Sequence, residues 1–292
     1  MIHQPSIEDA AGANPAAWIG RREYCEGRLS AELAAMLAAA LGHPAAAALD
    51  LAPGAAMPWL WHWGAFPEFV AMDRLGEDGH PRTGGFLPPL PYPRRMWAGG
   101  ALSFEGALAV GEPLVRRSEI VSVEEKAGAS GSMVFVGVSH AIEGGHGRVE
   151  ERQDIVYLDI PDRFRPPKRV SVPDAALFDE TVAMTEARLF RFSAATFNAH
   201  RIHYDLPYAR EVEKYPALVV HGPMQAMMLM EAGVRHTGRA PTRFRFRGVH
   251  PMFHDEALRL IGTRGAAEGA IDLCTAAASG HQGLQARMEW TP

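Results

Sequence analysis

The sequence predicts an α+β protein made of two halves of similar order, each combining antiparallel strands with a helix. Three observations carry that expectation. Residues 101–158 (ALSFEGALAVGE, LVRRSEIVSVEEK, SGSMVFVGVSHAI, ERQDIVYLDI) run in short alternating segments between glycine-rich turns, the pattern of an antiparallel sheet. Residues 219–238 (VVHGPMQAMMLMEAGVRHTG) have the composition of a buried helix ended by Gly238. Finally, Leu102, Leu108, Glu112 and Leu114 are answered by Phe246, Met252, Glu256 and Leu258, each pair 144 residues apart, an internal echo of duplication.

Taken in order, the opening MIHQPSIEDAAGANPAAWIG lacks a basic segment followed by an apolar core, so no secretory leader is expected. Residues 30–41 (SAELAAMLAAAL) predict an amphipathic helix with Ser30 as N-cap and Glu32 in the first turn. The apolar run through residue 52 contains Glu32, His43 and Asp50 and is broken by Gly42 and Pro44, which excludes a bilayer span. Residues 57–97 are rich in Pro, Gly and aromatic residues. Four of the six tryptophans lie there (Trp59, Trp61, Trp63, Trp97), which predicts a packed irregular loop that lines a site. The Pro- and charge-rich stretch 160–174 predicts a boundary between an N-terminal unit, 1–159, and a C-terminal unit, 175–292. In the second half, FDETVAMTEARLFRFSAAT reads as a strand leading into a helix. FRFRGVHPMFHDEALRLIG, AIDLCTAAAS and LQARMEW read as strands.

Composition narrows the function classes. A chain of 292 residues, 47% hydrophobic and 22% charged, is globular in character. A formal net charge of −5 argues against a broad nucleic-acid footprint. Cys25 and Cys274 are the only cysteines, so neither a disulfide scaffold nor a Cys-rich zinc site is expected. GGALSFEG lacks the glycine spacing of a dinucleotide fingerprint. These features predict a cytoplasmic protein that works without nucleic acid or membrane.

The chemistry-bearing stretch is FNAHRIHYDLPYA (197–209), followed by YPALVVHGPMQAMML (215–229). It resembles the hydratase motif of the MaoC-like hot-dog family, Asp-x-Asn-Pro-aliphatic-His-x-Asp followed by His-Gly at the start of an apolar helix. LWHWGAFPEFV, LGEDGHPRTGGFLPPLPYPRRMWAGG and FRFSAATFNAHRIHYD together resemble a narrower branch. That branch contains type 2 hydroxyacyl-thioester dehydratases and the mesaconyl-C4-CoA and itaconyl-CoA hydratases. The resemblance implies a double hot-dog, two antiparallel sheets each wrapped around a helix. The first-half helix would be degenerate, with the Pro/aromatic loop in its place. It also implies a cofactor-independent lyase acting on an acyl-CoA thioester, as a homodimer or higher homo-oligomer. The substrate would be short, branched or dicarboxylic, of the itaconyl-CoA or mesaconyl-C4-CoA type that gives citramalyl-CoA. A fatty-acid-type 3-hydroxyacyl-thioester dehydratase and a non-catalytic acyl-CoA-binding protein are the alternatives.

Anchored on the terminal His-x-Asp, the motif places His203 on the family histidine, Arg201 on its proline, His200 on its asparagine and Asn198 on its catalytic aspartate. An imidazole titrates near neutrality, so His203 can take a proton from water. A buried histidine bonded to a backbone carbonyl is the competing reading. Asn198 cannot take a proton, but its oxygen can orient water. His200 either holds Asn198 or the substrate, or stabilises the turn. Asp205, ahead of Leu206-Pro207, reads as a helix N-cap. Gly222 opens the apolar helix, where its N–H can bind the thioester oxygen; close packing is the other reason for a glycine. His221 contacts the same oxygen or caps the segment. Arg94 and Arg95 hold a CoA phosphate or a substrate carboxylate, or are solvated loop residues. His200, His203 and His221 lack a Glu-x-x-His neighbour or a Cys ligand, so no metal is expected.

Overall fold

The computed structural model describes residues 14–42, 49–128 and 131–291. The leader reading at residues 1–13 and the 43–48 portion of the apolar run lie outside the described residues. The first half supplies strands β1 (Arg22–Gly27), β2 (Arg94–Glu105), β3 (Leu114–Gly128), β4 (Gly131–Glu143) and β5 (Arg148–Leu158). The second half supplies β6 (Phe178–Val182), β7 (Arg243–Gly248), β8 (Leu258–Arg264), β9 (Ala270–Ala277) and β10 (Gln282–Glu289). Helix α1 (Ala31–Leu41) follows β1, and α2 (Glu186–Ala195), α3 (Leu206–Glu211) and α4 (Gly222–Thr237) follow β6. The caps are local. Ser30 Oγ accepts from Leu33 N–H at 3.2 Å, and Gly238 ends α4 in the left-handed region at φ 64°.

The strands form one antiparallel sheet in the order β1-β3-β4-β5-β2-β7-β10-β9-β8-β6. This is a double hot-dog in which the two expected sheets join edge to edge through β2 and β7. The register of that seam pairs Gly100 with Phe246, Ala101 with Arg245 and Leu102 with Phe244. Ala101 and Arg245 are themselves 144 residues apart, so the spacing of the sequence echo is the pseudo-twofold operation of the fold. Leu114 opens β3 just as Leu258 opens β8.

The halves differ in what covers their sheet. In the second half α4 packs on β8, β9 and β10, burying Met224, Met227, Met228 and Met230. Gly233 lets it approach closely: a methyl there would lie 3.2 Å from Met288 Sδ and 3.3 Å from Leu273. In the first half α1 is present but packs against α2, with Arg188 donating to the Leu41 carbonyl at 2.8 Å. The Pro/aromatic loop stands where a first-half counterpart of α4 would lie. Trp59 meets Phe104 at 5.0 Å, and Trp63 meets Trp97 at 4.7 Å and Phe246 at 5.8 Å. Two indole N–H groups find carboxylates, Trp61 on the half-buried Glu231 at 2.8 Å and Trp63 on the buried Glu151 at 2.9 Å. At the 144-residue offset α4 falls on residues 78–93 of this loop, so the first-half counterpart of α4 is replaced by loop, while α1 follows β1 as α2 follows β6.

Two boundaries depart from expectation. β2 begins at Arg94, inside the stretch read as loop, because pairing with β5 carries it from Arg94–Leu158 to Glu105–Arg148. β1 (REYCEG) carries no apolar alternation, and its pairing with β3 makes it a strand. Among the described residues no helix is long and apolar enough to cross a membrane.

The start of α4 is pinned to the sheet by a buried polar link. Thr275 donates to Gln225 Oε1 at 2.7 Å and accepts from Leu284 N–H at 2.9 Å, bridging a register shift between β9 and β10. Thr275→Val conserves shape but strands two buried partners. It should lower unfolding free energy by about 2–4 kcal/mol, read as a lower urea midpoint with an unchanged slope.

Candidate active site

The motif stretch begins where α2 ends. Phe197 adopts the left-handed conformation at φ 51°, a conformation that costs a bulky residue ~1–3 kcal/mol and persists only where surroundings impose it. Asn198 N–H is held by the Ser193 carbonyl at 2.8 Å. Asn198 Oδ1 accepts the His200 backbone N–H at 2.9 Å, so one of its acceptor positions stabilises the turn. A single 3-10 turn, Arg201–His203, follows. Asp205 then caps α3, accepting from Tyr208 N–H at 3.1 Å while pairing with Arg201 at 2.8 Å.

His203 is fixed by a second chain segment. Residues 218–220 pair with 252–254, and Val219 N–H donates to the Ile202 carbonyl at 3.0 Å. The Val219 carbonyl then accepts from His203 Nδ1 at 2.7 Å. A carbonyl can only accept, so the Nδ1 carries the proton and Nε2 keeps its lone pair. Nε2 has no protein partner among the described residues and is not sealed from solvent. The backbone bond that defines a structural histidine is therefore also what orients a base. Burial pushes the His203 pKa down to about 4, the Val219 bond opposing and the nearby His80 reinforcing the shift.

His221 lies completely buried, its ring stacked on His203 at 3.6 Å between centroids. Its Nε2 meets Ser193 Oγ at 2.8 Å, and its Nδ1 is buried without a partner among the described residues. Burial and then the charge of His203 hold it well below the ordinary histidine range, so it is neutral. It makes no side-chain cap to α4. Pro223, second in the helix, has no N–H, which leaves the N–H groups of Gly222 and Met224 as donors at the positive end of the dipole. A methyl on Gly222 would meet nothing within 4 Å. The close-packing explanation for this glycine therefore fails, and the space on the side its Cβ would occupy is open.

The two arginines separate. Arg94 is buried, with Nε on Glu213 Oε2 at 2.6 Å, Nη2 on the Glu213 carbonyl, and its plane over Tyr215 at 4.7 Å. The solvated-loop reading is corrected: Arg94 is buried, and its Nε and Nη2 are committed to Glu213. Arg95, the next strand residue, points to the opposite face. It lines a cavity of about 1650 Å³ beneath loop residues 65–87, together with Arg28, Arg82 and Arg116. Tyr157, its cross-strand partner, has a buried hydroxyl with no hydrogen-bond partner among the described residues. This cavity is not where the motif histidines are: His203 and Asn198 are absent from its walls, although the wall residue Phe69 lies 5.5 Å from Phe197, the first residue of the motif stretch.

Sequence reasoning expected the 57–97 loop to line a site but singled out neither Asp78 nor His80, the residues through which it reaches the motif. The turn Leu75–Pro81 is closed by a bridge between its ends. Arg201 N–H donates to the Asp78 carbonyl at 2.9 Å, and Arg201 Nη1 to the Glu77 carbonyl at 3.1 Å. Gly79 has φ +88°, and any side chain on it would strike the Ala199 carbonyl. The His80 ring lies 4.1 Å from His200, and His200 lies 5.3 Å from His203. Asp78, His80 and His200 place ligand-type atoms within 4.8 Å of one another, but Asp78 Oδ2 is already bonded to His80 Nδ1 at 2.8 Å. Asp78-x-His80 within GEDGH was the visible signal, a carboxylate spaced to bond its own histidine.

The family model for hydroxyacyl-thioester dehydratase type 2 matches residues 60–254. The chain belongs to that family. It is therefore an enzyme of the hydratase and dehydratase class, a hydro-lyase. A mesaconyl-C(4)-CoA hydratase of Chloroflexus aurantiacus is 43% identical over 247 residues, covering 84% of this chain and 87% of that protein. Among solved structures, a MaoC-like dehydratase of Phytophthora capsici has a TM-score of 0.71 at 12% identity, covering 96% of this chain and 98% of its own. A Mycobacterium tuberculosis protein described as a double hot-dog has a TM-score of 0.56 at 15% identity, covering 92% and 95%. At such identities the two structures speak for the fold alone.

Two predictions follow from the site of this hydro-lyase. A base must be neutral to act, and a depressed pKa keeps His203 neutral down to about pH 4. The acid limb of kcat/KM that belongs to His203 should thus fall near pH 4 rather than near 6.5, read from initial rates across pH 4–8. Gly222→Ala has room to fold, so its melting temperature should stay within about 2 °C of wild type. Its methyl would occupy the thioester's approach, and kcat/KM should drop by about 10²-fold.

Proposed function

We propose that the protein hydrates a short α,β-unsaturated dicarboxylic acyl-CoA, of the mesaconyl-C4-CoA or itaconyl-CoA type, to a citramalyl-CoA-type product. The observation that carries the reading is the pairing of a neutral, Nδ1-tethered His203 with the uncapped N-terminus of α4, beside open space at Gly222. His203 Nε2 takes a proton from water as the oxygen attacks Cβ. The π electrons move through Cα to the thioester oxygen, where the Gly222 N–H and the helix dipole stabilise the enolate. The imidazolium so formed is a strong acid, because burial disfavours its charge, and it returns the proton to Cα. Asn198 orients the water through the acceptor position that His200 N–H leaves free. Stacked on His203, His221 holds the ring plane, and His200 supports the turn between them.

The dicarboxylic choice draws on two supports. One is the 43% identity to a mesaconyl-C(4)-CoA hydratase. The other is Arg95, which on this reading anchors the free carboxylate of the acyl group while the cavity beside it receives the rest of the thioester.

Loss of the enoyl-thioester absorbance band tests the proposal with crotonyl-, mesaconyl- and itaconyl-CoA. A carboxylated substrate should exceed crotonyl-CoA in kcat/KM by at least tenfold, about the value of one charge-assisted contact. Equal turnover of all three would sink the dicarboxylic assignment, and absence of turnover would sink the hydratase reading. His203→Ala should cost about 10²–10⁴ in kcat. Asn198→Asp, which can still accept the His200 N–H, should stay within about tenfold of wild type; complete loss would show that Asn198 has another role.

A further inference from the structure

Hydration handles two O–H bonds of one water, and the reading above accounts fully for only one. One proton passes to His203. The other stays on oxygen, and the group that holds it decides the direction of attack. Asn198 offers a single remaining acceptor position, on a side chain already engaged in its own turn.

A second base stands nearby. His80 has its Nδ1 on Asp78 Oδ2 at 2.8 Å, and Asp78 Oδ1 accepts the His80 backbone N–H at 3.0 Å. A carboxylate on Nδ1 places the proton there, leaves the Nε2 lone pair as the working atom and fixes the ring plane. Nε2 of His80 has no protein partner among the described residues and is not among the sealed buried atoms. The ring is 23% exposed, whereas His200, His203 and His221 are all buried, so His80 stands at the solvent side of the imidazole row. Its position is built, not incidental. The Gly76–His80 turn is closed by Gly76 N–H on the His80 carbonyl at 2.7 Å, and Arg201 grips the Asp78 and Glu77 carbonyls. Gly79 allows backbone-to-backbone contact with Ala199. The Arg201 and Ala199 contacts tie this turn of the first half to the motif in the second.

Resting on the hydratase reading, we propose that His80, oriented by Asp78, is a second catalytic residue that accepts a hydrogen bond from the attacking water while His203 removes its other proton. In the balanced step, one water O–H stays intact, its hydrogen shared between His80 Nε2 and the free acceptor position of Asn198 Oδ1, and becomes the product hydroxyl. The other breaks toward His203 Nε2. The C–O bond forms at Cβ, the π pair becomes the enolate, and the His203 proton ends on Cα. In the dehydration direction His80 accepts from the 3-hydroxyl. Asp78 is a positioning residue acting through His80, since its carboxylate oxygens are both spent on that residue.

The test uses the full-length enzyme and the substrate of the panel that wild type turns over best. His80→Gln should lower kcat by about 10²-fold with KM within threefold. Asp78→Asn should lower kcat by about tenfold. Because Asp78 works through His80, the double variant should be no slower than His80→Gln alone. A kcat within threefold of wild type for His80→Gln, a loss confined to KM, or additive losses in the double variant would each overturn the inference. If a variant fails to reproduce the wild-type melting curve, nitrogen NMR of the wild-type imidazoles decides instead. A Nδ1–H tautomer at His80 supports the role and a Nε2–H tautomer overturns it. Failure of the parent reading is separate: there, wild type itself hydrates no member of the panel.

Discussion

The antiparallel pairing of β2 with β7 is the contact on which the rest of the molecule depends. It turns two five-stranded units into one sheet and places their pseudo-twofold at Ala101 and Arg245. With the seam in place, the face of each half is covered by material that differs between halves: α4 on one side, the tryptophan-rich loop on the other. Trp63 and Trp97 pack across the seam on Phe246, so the loop is fastened to the second half as well as the first. Only because of that closure can Asp78 and His80 lie against Ala199–Arg201, more than a hundred residues away in sequence.

The site that results runs on neutral imidazoles. Burial is the leading cause of the lowered pKa at His80, His200, His203 and His221, and at the last three each ring's charge penalises a neighbour's. Charging one ring makes charging the next harder. Arg95 adds positive field at His80 and His200, which further favours their neutral forms. Among the described residues Asp78 is the one carboxylate bonded into the row. Burial pushes its pKa up, but the hydrogen bond and charge of His80 outweigh this and hold it below the ordinary value. The row therefore presents lone pairs at neutral pH while an uncapped helix end supplies the donors, a division suited to a reaction that forms an enolate.

Much of this was legible in the chain. The caps at Ser30, Asp205 and Gly238 follow from rules that act within a few residues. So does the placement of His203 in a turn ahead of the His221-Gly222 helix start. The 144-residue echo carried the duplication, and Leu114 and Leu258 mark the same strand start in both halves. Arg94 and Arg95 show where legibility ended. Adjacent in sequence, they read as equivalent, yet strand alternation sends one to Glu213 and the other to the cavity. Period-two reasoning would have separated them had β2 been started at Arg94, but only pairing with β5 extends the strand that far.

By itself the sequence determined what is local or repeated: the element types, the duplicated order, the histidine motif and the helix that follows it. Those depend on side-chain periodicity, capping and backbone sterics, which act over a few bonds. Tertiary structure decided the tautomer of His203, through a carbonyl 16 residues away. It decided the fate of each arginine, and it recruited Asp78 and His80 to the motif. Each of these is a hydrogen bond or ring contact between distant segments, whose existence depends on which surfaces the seam brings together.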